Sequence, residues 1–291
     1  MERTLVFPGG RMKAVLIGYD DGLEQDERLL EILDRRRLKG TFFLSAGCFL
    51  PEGMHYAPGE IHRRLTLERA VALYADREHE IACHGLFHED FSLLDGAQAA
   101  YQLIEDRARL ERIFHRIIRG FAYPYGNTSA PTEAMLAASG FAYARTVQLT
   151  HETIPQTDDF FHFRVTTRHR LPEFLPLADA FLEAPDTRPA VFGIFGHTYE
   201  LERDQNWLIM ERFAERMAVP EKIWSCTYLD YVDYIRAFQA LRTSCCGSLV
   251  ENPSGTPVWF RQHGRVYTVG QGQTIQTEGN EAYQNGERCR V

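Results

Sequence analysis

The sequence predicts an α/β fold: a parallel sheet, closed as a barrel of seven or eight strands, over about residues 12–243. Two observations carry this. Short apolar β-type runs alternate with helical patterns through most of the 291 residues, which is the signature of βαβ units. In addition, four chemistry-bearing segments each fall where such a run ends. They are Tyr19-Asp20-Asp21-Gly22, His84-Gly85-Leu86-Phe87-His88, Phe121-Ala122-Tyr123-Pro124-Tyr125-Gly126 and Gly196-His197. In parallel α/β folds the C-terminal strand ends share one rim, so residues far apart in sequence meet there.

Lys13–Tyr19 is the first strand, followed by a helical pattern from Asp26 to Lys39 that Gly40 stops. Thr41–Ser45 is the second strand, and Ala46–Leu65, rich in Gly, Pro and aromatics, reads as a long functional loop. Thr66–Ala75 is helical, with Thr66 and Glu68 at its polar start; Glu80–Cys83 is a strand running directly into His84. Gly96–Ile117 reads as a long amphipathic helix, Gly120–Tyr123 as a strand and Pro131–Ser139 as a helix with Pro in its first turn. Phe141–Arg145, Phe163–Thr167, Val191–Phe195 and Ile223–Thr227 are further strands. Helices are predicted near Pro172–Leu182, Asp204–Met217 and Leu229–Leu241.

From Thr243 the texture changes to Gly, Gln, Thr and Asn, so the chain divides into residues 1–243 and a small β-rich extension, 244–291. Within it, Pro257–Arg261 and Arg265–Val269 flank Gln262-His263-Gly264 as a hairpin, and Trp259 and Tyr267 read as packing aromatics. A 44% hydrophobic composition suits one large domain, or a large one with a small one. The net charge of −8, without a run of Lys or Arg, argues against nucleic acid as a partner.

No stretch is apolar enough to span a bilayer, and the first ten residues lack the apolar core of a secretory signal. A cytoplasmic protein without a membrane partner is expected. The irregularly spaced cysteines, Cys48, Cys83, Cys226, Cys245, Cys246 and Cys289, are then expected to be reduced. Whether the chain forms a homo-oligomer is left open.

Chemistry concentrates in the rim segments. Two imidazoles at i and i+4, His84 and His88, face one way on a helical turn and are able to share a divalent ion. The spacing is weak alone, but it directly follows a strand. Adjacent carboxylates, Asp20 and Asp21, repel at a strand end. A cation absorbs one and leaves the other free as a base. Asp21-Gly22 also fits an ordinary turn, a reading that leaves Asp20 unexplained. Two histidines and an aspartate with an open position match a catalytic zinc site, with cobalt, nickel or manganese fitting the same donors. His197 sits on the same rim as a candidate general acid, with Glu200 placed to orient it.

These residues resemble the polysaccharide deacetylases of the NodB-homology group, carbohydrate esterase family 4, over about residues 12–230. The resemblance implies a distorted (β/α)7 barrel. It implies Asp20 as catalytic base, and Asp21, His84 and His88 as metal ligands. Tyr125 would supply an oxyanion-hole backbone N–H, and His197 the general acid. Tyr123 and Pro124 join Arg145 and Glu200 as substrate or support residues. The family's third motif commonly carries an arginine that pairs with the base; here Ala122 or Tyr123 stands in that place, and Arg145 is the candidate replacement. The family's later Asp-Trp motif is not visible.

The reading is therefore a metal-dependent hydrolase removing an N-acetyl or other N-acyl group from an amino-sugar-containing carbohydrate. The Ala46–Leu65 and Thr146–Phe161 segments are the expected seats of specificity. The rivals are a metal-independent amidohydrolase opening cyclic amides or ureides on the same fold, and a non-catalytic carbohydrate-binding protein.

Overall fold

The structure, a computed structural model, describes residues 3–278. Its centre is a curled parallel sheet. Strands β2 (Lys13–Asp20), β3 (Thr41–Leu44), β4 (Glu80–Cys83), β5 (Gly120–Ala122) and β6 (Tyr143–Leu149) lie side by side in chain order, and β9 (Ala190–Gly196) pairs with the other edge of β2. The curl is closed by one extended segment. Its first part, β7 (Phe163–Val165), pairs with β6, and its second, β8 (Thr167–Arg168), pairs with β9. Between them the Thr166 N–H donates to Gly193 O at 2.8 Å. The fold is thus a distorted (β/α)7 barrel.

β2 organises the sheet. β9 runs along one of its edges from Lys13 to Tyr19. The opposite edge is divided, with β10 (Ile223–Cys226) on Lys13–Leu16 and β3 on Gly18–Asp20. Alternate side chains of β2 serve two cores, as strand geometry demands. Ala14 and Leu16 join Phe43, Ala82, Ala122, Phe163 and Phe195 on one face. Val15, Ile17 and Tyr19 pack on the other face against the outer helices, among them Leu29 and Leu33. The first cluster is completed by α8 (Tyr228–Gln239), whose Tyr228, Tyr231 and Tyr234 are buried there.

The outer helices α1 (Asp26–Arg35), α2 (Leu67–Tyr74), α3 (Gly96–Phe114), α4 (Ala130–Ala138) and α5 (Phe174–Glu183) connect successive strands. The first helix ends four residues before the expected stop, because Leu38 N–H bonds back to Leu33 O and Arg37 turns left-handed. The helix expected at Asp204–Met217 begins three residues later, as α7 (Trp207–Met217), because Gln205 takes a positive φ; before it lies a short helix that was not expected, α6 (Thr198–Arg203). The strand expected at Phe141–Arg145 instead runs Tyr143–Leu149.

Beyond α8, β11 (Arg242–Thr243), β12 (Leu249–Glu251) and β15 (Thr274–Gln276) form one small sheet. β13 (Val258–Gln262) and β14 (Arg265–Val269) form the expected hairpin, with both turn residues, His263 and Gly264, at positive φ. The hairpin recruits β1 (Thr4–Val6), which pairs antiparallel with β13; the sequence reading had missed this strand. Phe260 stacks on Tyr267 at 5.5 Å, and the Trp259 side chain packs against the cluster that holds Tyr231 and Tyr234, so these aromatics serve packing. Cys289 and the rest of residues 279–291 lie outside the described residues. The five described cysteines are unpaired, and none of the described helices is long and apolar enough to cross a membrane.

Candidate active site

The C-terminal ends of β2, β4, β5 and β9 bring Asp20, Asp21, His84, Tyr125 and His197 to one rim, joined by His88 and, from within β6, by Arg145. Asp20 is the last residue of β2 and is 3% exposed. Its Oδ1 accepts from Arg145 Nη2 at 2.5 Å, and Arg145 is fully buried on β6, its guanidinium lying over the rings of Phe43 and Phe195. Arg145 thus stands where the absent motif arginine was needed. A buried carboxylate of this kind is tolerable only with such a partner.

Asp21 follows at φ 83°, a conformation costly for a residue with a Cβ. Its N–H donates to Phe43 O at 3.0 Å, and its carboxylate meets His88 Nε2 at 3.4 Å through Oδ1. Two residues of the Ala46–Leu65 loop, which the sequence reading did not single out, hold the same carboxylate. His62 Nε2 lies 2.8 Å from Oδ2, and Arg64 Nη2 donates to Oδ1 at 2.8 Å. Burial alone would push the Asp21 carboxyl up, but the His62 hydrogen bond and the Arg64 charge hold it far below the usual carboxylate range.

His84 and His88 do converge, their rings 4.8 Å apart, but not on a helical turn as the spacing suggested. Gly85 and His88 both take positive φ, and the chain folds back sharply. A Cβ on Gly85 would come within 2.8 Å of the Phe91 ring. His84 Nδ1 lies 2.8 Å from Ala122 O, so Nδ1 carries the proton and Nε2 is the free lone pair. Burial pushes the His84 imidazole down to about 4 and lowers that of His88, so both are neutral and ready to ligate at neutral pH. Ligand atoms of Asp21, His84 and His88 lie within 4.8 Å of one another. That donor set, with the His84 proton committed to a carbonyl, fits a divalent ion.

A buried acid on α3 supports this corner. Asp106 Oδ1 accepts from the Ala46 N–H at 2.7 Å and Oδ2 from the His84 N–H at 3.2 Å, and burial pushes its carboxyl up to about 7. Its position among Ala99, Leu103 and Leu110, an acid on the apolar face of a helix, was the signal available in the sequence. The third motif turns at Tyr125, also at positive φ, whose exposed ring rests against His88 at 5.0 Å. Asn127 ties this turn to the second by donating to Asp90 at 2.7 Å. Tyr123 and Pro124 are buried; the Tyr123 hydroxyl donates to Phe161 O at 2.9 Å, so this side chain braces the barrel.

His197 caps α6 just past β9, its Nε2 3.9 Å from Asp20 and 3.8 Å from Asp21. Its Nδ1 faces Glu200 Oε2 at 3.7 Å. Burial opposes the charged imidazole, yet Glu200, Asp20 and Asp21 together raise its pKa. Glu200 is itself clamped by Arg168 at 3.1 Å, Arg170 at 3.4 Å and His169 at 3.6 Å, and despite burial its carboxyl is held down to about 2, with His197 the leading cause. The close approach of His169 needs Gly196, where a Cβ would stand 2.3 Å from His169 Nδ1.

The Thr146–Phe161 segment meets the rim at its start, where Val147 packs against Gly126, and then leaves it. Thr153 O accepts from the Val191 N–H, at the opposite end of β9 from His197. Thr150, Glu152 and Ile154-Pro155-Gln156 line a cavity of about 170 Å³ against Leu16, Val191 and Gly193.

Comparison with known proteins agrees with this architecture. Residues 9–144 match the polysaccharide deacetylase family. Among solved structures, a Mycobacterium smegmatis protein classed with the polysaccharide deacetylases superposes with a TM-score of 0.58 at 18% identity, covering 82% of this chain and 96% of that one. A Pseudomonas aeruginosa PAO1 protein of the same class gives 0.55 at 17%, covering 78% and 91%. Puue allantoinase gives 0.55 at 15%, with the same 78% and 91% coverage. At these identities the likeness is one of fold. No curated protein matches the sequence. The matched residues 9–144 include Asp20, Asp21, His84, His88 and Tyr125, so it is the part of the chain that carries these side chains that is similar to the polysaccharide deacetylase family.

Proposed function

We propose that this chain is a metal-dependent hydrolase that removes an N-acetyl or other N-acyl group from an amino-sugar-containing carbohydrate. The observation that carries the reading is the meeting, on one rim, of an Asp21-His84-His88 donor set with a separately held Asp20 and a proton-retaining His197. Asp21, His84 and His88 would hold the ion, zinc by the character of the donors. When bound, such an ion supplies Lewis acidity at the amide carbonyl and makes a water acidic near neutral pH.

The chain's own groups do the rest. Arg145 fixes Asp20 through Oδ1, leaving Oδ2 toward His197 and the open rim, where it takes the proton of the attacking water. The Tyr125 N–H is assigned to the tetrahedral oxyanion. His197, kept protonated by Glu200 and the two aspartates, delivers its proton to the leaving amine, without which the intermediate reverts to amide. Loss of Asp20 or His197 should cost about 10²–10⁴ in rate.

The test pairs metal content with acetate release. Purified protein and a His84→Ala, His88→Ala double variant are compared for bound divalent ion, then screened against N-acetylated amino sugars. One ion per chain, lost with the histidines, together with acetate released by the parent alone, supports the reading. A parent that takes up no zinc even on incubation eliminates it and leaves ring-opening amidohydrolysis or plain binding.

A further inference from the structure

Asp21 is assigned to an ion, yet the fold already supplies it with a permanent cation. Its Oδ1 is the oxygen nearest a His88 ring nitrogen, at 3.4 Å, and the same oxygen accepts from Arg64 Nη2 at 2.8 Å. Arg64 Nη1 also donates to the Asp21 backbone carbonyl at 3.2 Å, so the guanidinium lies along the whole residue. A guanidinium does not deprotonate in a protein, and at 16% exposure this one is poorly screened. Among the described residues its one ion pair is with Asp21.

The arginine is delivered by a segment built onto the Asp21 turn. Leu65 N–H donates to Gly22 O at 2.9 Å, Glu24 N–H to Arg63 O at 2.8 Å, and Gln25 Nε2 to Ile61 O at 2.8 Å. Residues 61–65 therefore lie as a segment fastened across the turn that carries the metal ligand, with a single antiparallel β-bridge at Leu23 and Arg64.

Resting on the metal-site reading above, we propose that Arg64 is a resident counter-charge that competes with the divalent ion for Asp21. Loading the metal and fastening segment 61–65 then oppose each other. Without the ion, Arg64 neutralises Asp21 and helps hold its left-handed backbone. With the ion, two cations face one carboxylate oxygen, and Arg64 loses its hold. His62 holds the other oxygen, Oδ2, at 2.8 Å and is kept in every variant compared, so the difference between variants reads Arg64 alone.

Zinc is titrated calorimetrically into the metal-stripped full chain, the Arg64→Gln variant and the Arg64→Lys variant. Removing the charge should tighten zinc binding about tenfold, whereas lysine, which keeps it, should stay within about threefold of the parent. Backbone hydrogen exchange at residues 61–65 of the parent supplies a readout that needs no variant: zinc should speed it. Arg64→Gln binding zinc no more tightly than the parent, or exchange slowed by zinc, overturns the proposal while leaving the hydrolase reading intact. Absence of zinc binding in the parent and in Arg64→Gln alike overturns both.

Discussion

Asp20 and Asp21 are consecutive and equally buried, yet they answer to different regions of the molecule. Asp20 is held from within the barrel, by an arginine with no exposed surface on β6. Asp21 is held from the rim, by His62 and Arg64 on a surface loop. The first arrangement is set by strand pairing, since Ala122 and Arg145 are register partners on β5 and β6. The second is set by the course of a loop. One carboxylate is thus fixed by the scaffold, and its neighbour by a segment outside the sheet.

The comparison is most severely tested at Arg145. Arg145→Leu leaves the Asp20 carboxylate buried without a partner, and should cost about 3–5 kcal/mol of stability. Urea unfolding reads this directly, and a parent-like midpoint would show that Asp20 does not depend on the barrel interior. Next comes the division of labour. Asp20→Asn should lower acetate release about 10²–10⁴-fold while zinc still binds. Asp21→Asn should lose the zinc itself, and equal zinc loss in both variants would erase the distinction.

A smaller effect is expected at Glu200. It helps hold the His197 pKa above its ordinary value, so the protonated acid persists to higher pH and is lost as pH rises through that raised pKa. Glu200→Gln lowers that pKa, and the alkaline limb of the rate profile should move to lower pH. An unmoved limb would assign the limb to another group. Smallest is Arg63, whose pairs with Glu24 and Glu202 lie at the surface. Arg63→Ala should change stability by less than about 1 kcal/mol. A larger loss would mean that the loop is as integral to the fold as Arg145.

Several of these features were legible in the sequence for local reasons. A strand followed by Asp-Asp, or by His-x-x-x-His, places those side chains on the rim wherever the sheet closes. The pair His84 and His88 was found through an assumed helical turn, whereas left-handed Gly85 and His88 produce the same convergence by another backbone path. The need for a cation beside Asp20 was visible in the missing motif arginine, and its supply by Arg145 followed once β5 and β6 were neighbours. His62 and Arg64 left no such trace, because a loop carries no period to read. Asp106 did leave one, an acid in the apolar stripe of α3, but its purpose lies in backbone N–H groups contributed by other elements.

Local pattern dictates the alternation of strands and helices, the rim on which the chemistry gathers and the residue types that chemistry uses. These follow from periodicity and from strand ends, properties confined to a few consecutive residues. The tertiary structure decided which cation meets which aspartate, that Glu200 is shared by two histidines and two arginines, and that the N-terminal strand completes the C-terminal hairpin. Each of these joins side chains or strands from separate parts of the chain, and their meeting depends on barrel closure and on the paths loops take around it. No local pattern encodes those paths.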